Sequence, residues 1–103
     1  MTRHLVPATA APEPGQAIRV TVDGKEVAVF NVGGNLFAIG ANCTHVGGPL
    51  EEGEVSELVV TCPWHGSQFK LESGAVVEGP AQRPEPAYTV HVEGGGLVFE
   101  ERS

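Results

Sequence analysis

Two short clusters carry the residues best suited to chemistry: Cys43-Thr44-His45 and, with sixteen residues between, Cys62-Pro63-Trp64-His65. Each offers one soft thiolate and one imidazole, and together they use both cysteines of the chain. Two such loops folded together present a Cys2His2 donor set, which suits tetrahedral zinc or an iron–sulfur cluster in which two histidines replace two cysteines on one iron. Spacing favours the second. Zinc ribbons and fingers leave about two to four residues inside each pair, whereas a single residue separates Cys43 from His45. Gly47-Gly48-Pro49 and Gly66-Ser67 follow the two pairs, and they read as backbone brought close to something bulky that accepts hydrogen bonds. Inorganic sulfides answer to that description and a lone zinc ion does not.

The elements that must position these loops read as short strands. Ala17 to Val22 alternates and meets Asp23-Gly24, a two-residue hairpin signal. Val27 to Val32 and Leu36 to Ile39 continue the meander around Gly33-Gly34 and end just before Cys43. Leu58 to Thr61 runs into Cys62, Gln68 to Leu71 and Ala75 to Val77 flank the turn Glu72-Ser73-Gly74, and Tyr88 to Val92 with Leu97 to Glu100 form a closing hairpin. This order predicts an all-β single domain over residues 1–103. Its antiparallel, sandwich-like base comes from about 1–40 and 83–103, and a smaller lobe of about 41–82 is inserted with both ligand loops. Gly47, Gly48 and Pro49 argue for a tight loop rather than a helical turn near Val46 to Leu50.

Composition narrows the function classes. Six Lys and Arg against thirteen Asp and Glu leave a formal charge of −7 with no basic run, which speaks against nucleic acid as a partner. No apolar stretch approaches the roughly 18 residues of a membrane span, and the N-terminus lacks the order of a secretory signal. Two cysteines in a metal-like pattern fit a reducing compartment, so the expectation is a soluble, cytoplasmic monomer.

The sequence resembles Rieske-type ferredoxins, whose signature of Cys-x-His, a linker of 15 to 17 residues and Cys-x-x-His is matched by Cys43, His45, Cys62 and His65. The likeness extends to Cys62-Pro63-Trp64-His65-Gly66, to Phe69 and Gly74, and to Gly79-Pro80 with Arg83-Pro84, which resembles the proline loop that covers the cluster. The resemblance implies the Rieske fold and one [2Fe-2S] cluster, with Cys43 and Cys62 on one iron and His45 and His65 on the other. It places Ser67, Gly47, Trp64 and Pro80 around the ligands. Ser67 matches a serine that donates to a cluster sulfide in respiratory members, and Phe69 stands where those members carry a tyrosine. Gly48 and Trp64 occupy the places of their extra, disulfide-forming cysteines. That departure points to the ferredoxins of multicomponent ring-hydroxylating dioxygenase systems.

The function so implied is one-electron carriage from a flavin-dependent reductase to a terminal oxygenase or related enzyme, without substrate chemistry in this chain. A small Rieske-like subunit of an assimilatory nitrite reductase is the alternative, and a structural zinc module a remoter one. His4 and His91 are assigned nothing, since His91 sits in an alternating strand. Trp64 reads as a shield or partner contact rather than a core aromatic. The histidine tip is expected to include Val46, Pro49, Leu50, Trp64 and Pro80, rimmed by acids such as Glu51 and Glu52 that steer a basic partner.

Overall fold

A computed structural model describes residues 3–6, 11–42, 48–64, 66–79 and 84–101. Among these residues ten strands follow in order: β1 Arg3–Val6, β2 Ala17–Val22, β3 Lys25–Val32, β4 Asn35–Gly40, β5 Glu54–Ser56, β6 Val59–Thr61, β7 Gln68–Lys70, β8 Val76–Glu78, β9 Ala87–Glu93 and β10 Gly96–Glu101. A 3-10 turn, Leu50–Glu52, lies between β4 and β5. One antiparallel sheet has the order β1-β10-β9-β4-β3-β2, and a second has the order β5-β6-β7-β8. The all-β architecture read from the sequence is the one observed. β1 and β5 were not among the expected strands. The tight loop expected in place of a helical turn near Val46 to Leu50 lies partly outside the described residues, and where the described chain resumes a 3-10 turn forms at Leu50–Glu52.

Hairpin chemistry sets the larger sheet. Asp23 and Gly24 take φ values of 49° and 77°, the left-handed pair that lets a two-residue loop match the twist of its strands. Pairing of Val22 with Lys25 then fixes the register of β2 on β3. The β5–β6 hairpin uses the same geometry with poorer residues: Glu57 and Leu58 stand at φ 52° and 62°, a region costly for residues with a β-carbon.

β3 explains how the sheets meet. Its run Val27-Ala28-Val29-Phe30 is buried throughout, because both faces of the strand are covered, as continuous apolar runs in buried strands require. Val27 and Val29 face a core with Ala38, Tyr88, Leu97 and Phe99. Ala28 and Phe30 face the other way, onto a core shared with Ile39, Leu50, Val60, Cys62, Phe69 and Leu71. The small sheet is thus packed on the large one through a buried apolar layer. At about 25 cal/mol per Å² of buried apolar surface, this layer is what holds the ligand-bearing segments in place.

Tyr88 sits edge-on to Phe99 at a centroid distance of 6.4 Å. Burial first, and then the charge of Glu101, push its phenol above the ordinary 10.0. The folded state therefore keeps this proton at a pH where the unfolded chain has lost it. Its contribution to stability is complete below about pH 10 and is lost as pH rises through the higher folded value. Denaturant midpoints measured from pH 8 upward should fall above that point, and Tyr88→Phe should flatten the fall. An equal decline in Tyr88→Phe would assign it to other groups.

Candidate metal centre

Both ligand loops are closed at their necks by backbone hydrogen bonds. Asn42 and Pro49 form an isolated antiparallel bridge, and the Leu50 N–H donates to Ala41 O at 2.8 Å, so the chain leaves β4 and returns to nearly the same place. The second neck is tighter. The Cys62 N–H donates to Ser67 O at 2.7 Å, with Gly66 at φ 76° turning the loop back into β7.

Cys62 and Ser67 are rooted in the core. Cys62 is 2 % exposed and belongs to the layer between the sheets, and Ser67 is fully buried. Trp64, two residues beyond Cys62, is 51 % exposed. The loop therefore has a fixed inner end that carries a thiol and an outer end that carries an indole. The two loops touch through Gly48, where a β-carbon would lie 2.7 Å from Cys62 Sγ and 3.2 Å from the Trp64 ring. Only a residue without a side chain allows this approach. The glycine thus serves the contact between loops, a more specific need than the sulfide contact read from the sequence.

Of the expected ligands, Cys62 is among the described residues, whereas Cys43, His45 and His65 lie outside them, as do Gly47 and Pro80. The described surroundings fit the group that the motif implies. A buried thiol stands at the meeting point of two necked loops, a glycine lets the first loop approach it, and a buried serine closes its own neck. Soft thiolate donors of this kind suit an iron–sulfur cluster.

Two expected surface roles change. Leu50 is fully buried in the layer between the sheets, so it forms no part of an exposed tip; apolar burial has claimed it. Glu51 is not a free rim acid. It receives Arg19 Nε at 2.9 Å and Arg19 Nη2 at 3.1 Å, a two-pronged contact whose side chains are only 29 % and 15 % exposed. Glu52 remains exposed. The same guanidinium reaches Asn42 Oδ1 at 3.0 Å and Glu26 Oε1 at 3.3 Å. The Glu51 hydrogen bond, ahead of Glu26, strengthens the hold of Arg19 on its proton. Thr21 first, and then Arg19, hold the Glu26 carboxyl below its usual range.

Sequence reasoning missed the Arg19 contacts, whose only signal was a lone cation in an otherwise uncharged strand. His91 is exposed and lies 2.9 Å from Glu93; His4 lies 3.7 Å from Glu101. Among the described residues no helix is long and apolar enough to cross a membrane.

Known proteins share this fold. The Rieske [2Fe-2S] domain matches residues 3–92. The chain is similar to the 3-phenylpropionate/cinnamic acid dioxygenase ferredoxin subunit of Escherichia coli K12, with 37 % identity over 98 residues, covering 94 % of this chain and 91 % of that one. Among solved structures, the ferredoxin of carbazole 1,9a-dioxygenase from Nocardioides aromaticivorans IC177 superposes with a TM-score of 0.84 at 29 % identity, covering 95 % of this chain and 98 % of that one. A chain in the complex of reduced oxygenase and oxidized ferredoxin of carbazole 1,9a-dioxygenase gives 0.82 at 30 % identity, covering 96 % of each. These matches decide between the two metal chemistries that the Cys2His2 set left open: with its two necked loops meeting at a buried cysteine, the chain belongs to the Rieske [2Fe-2S] family and is an electron-carrying ferredoxin with one such cluster.

Proposed function

We propose that this ferredoxin serves a ring-hydroxylating dioxygenase system in the cytoplasm, receiving single electrons from a flavin-dependent reductase and passing them to a terminal oxygenase, with no substrate chemistry of its own. When bound, the cluster supplies one reversible one-electron couple. Cys43 and Cys62 hold one iron and His45 and His65 the other, within a lobe of about residues 41–82 inserted into a base of about 1–40 and 83–103. Ser67, buried at the neck of the second loop, would donate toward a sulfide, and Gly47, Trp64 and Pro80 would stand around the ligands.

One observation carries the assignment of partner: Trp64 is half exposed in a loop whose inner residue is buried in the core. A rigid aromatic at the surface, set between two ligands, is the kind of anchor that dominates contact energetics. Because Cys62 is fixed by the core beneath it, a partner seated on Trp64 comes close to the donor set without moving it. The E. coli and Nocardioides relatives are named as components of dioxygenases, which supports an oxygenase as the acceptor.

The test is stopped-flow mixing of the reduced protein with an oxidised Rieske terminal oxygenase. Reoxidation should be saturable, and Trp64→Ala should lower its second-order rate constant about tenfold, the loss of one modest hot spot, with the visible spectrum unchanged. A wild-type rate in Trp64→Ala would move the docking surface elsewhere.

A further inference from the structure

The first ligand loop is held by a residue far from it in sequence. Asn42 immediately precedes Cys43, and Glu51 stands two residues after Pro49, the far side of the neck. Arg19 of β2 bonds to both: Nη1 to Asn42 Oδ1 at 3.0 Å, and Nε with Nη2 to the two carboxylate oxygens of Glu51 at 2.9 and 3.1 Å. One planar, charged group thus spans the mouth of the loop from outside. We infer that Arg19 is a positioning residue that locks the Cys43–His45 loop in the geometry that holds its half of the cluster. The inference rests on the reading of Cys43 and His45 as ligands.

Three features favour this role over that of an ordinary surface ion pair. The fork on Glu51 uses both carboxylate oxygens, an arrangement that fixes direction as well as distance. Its partners lie in different elements, the edge strand β2 and the turn after the neck, separated by 32 residues, so the contact ties the loop to the base rather than stiffening one strand. Among the described residues, the neck is closed by one backbone bridge and the bond from Leu50 to Ala41. The guanidinium adds side-chain bonds to residues on both sides of that neck, Asn42 and Glu51. The second loop has no such need, since Cys62 is already fixed by the core.

The experiment uses the cluster-loaded protein and three readings: the rate of bleaching in excess iron chelator, the EPR line shape of the reduced state, and the thermal midpoint. Arg19→Gln should speed cluster release about tenfold, as expected for a charge-assisted contact worth about 1.5 kcal/mol, and broaden the EPR signal as the loop samples several geometries. Arg19→Lys, which keeps the charge without the fork, should also broaden it. Glu26→Gln touches the guanidinium from β3 and not from the loop, and as a largely exposed pair it should change release less than about twofold. If Arg19→Gln fails to fold, Glu51→Gln carries the same test from the loop side. Release at the parent rate with an unbroadened signal overturns the inference. So does a Glu26→Gln effect equal to that of Arg19→Gln, or a release rate that merely follows the thermal midpoint across all variants. Cys43→Ser separates this inference from its premise. Full iron and sulfide in Cys43→Ser would remove the ligand assignment, whereas loss of iron there beside an inert Arg19→Gln would remove Arg19 alone.

Discussion

Gly48→Ala should give a folded protein that retains little of its cluster. The added β-carbon would lie 2.7 Å from Cys62 Sγ, inside any tolerable contact, and the thiol has little room to retreat because Cys62 belongs to the same buried cluster as Ala41, Leu50 and Val60. Trp64 gives way more easily, being half exposed. The remaining adjustment is rotation of the thiol or separation of the loops, and both spoil a shared donor set. Overpacking of this kind costs about 1–3 kcal/mol, and each 1.4 kcal/mol is about tenfold in an equilibrium. Iron and sulfide per chain after reconstitution should therefore fall about tenfold or more under limiting iron, with the far-ultraviolet strand signal unchanged. Full occupancy would show that the loops do not meet at Gly48 in the loaded protein.

Cys62→Ser should have a comparable effect for a different reason. Serine nearly matches cysteine in volume, so the fold should survive while the soft ligand is lost. The expected product is a colourless or unstable species rather than an unfolded one. His45→Cys and His65→Cys should instead keep a thiolate-bound cluster with an altered visible spectrum, because sulfur replaces nitrogen on one iron. Unaltered iron content and spectrum in any of these variants would strike that residue from the ligand set.

The ligand motif was legible because its spacing is local and chemically restrictive. The turns at Asp23-Gly24 and Gly94-Gly95 were legible for a similar reason: their residues accept the positive φ that the backbone adopts there. The β5–β6 hairpin escaped notice because Glu57 and Leu58 occupy the same backbone region without any glycine or asparagine to announce it. β1 escaped because its four residues are strand only through pairing with β10, at the opposite end of the chain. Arg19 is the functional counterpart of that failure. No local pattern links a strand residue to Glu51, and only the packing of the base against the loop neck brings them together. Leu50 shows the converse: its place beside the ligand loop suggested an exposed tip, and the demand of the core proved stronger.

Two histidines and two cysteines of this chain are expected to hold the cluster that carries one electron. Electron–nuclear double resonance on the reduced protein tests this most directly, because only ligating nitrogens couple strongly to the unpaired spin. Two such nitrogen couplings should be present in the parent protein, with one remaining in His45→Cys and one in His65→Cys. A reduced parent without strong nitrogen couplings, or one whose couplings persist in both variants, would contradict the assignment.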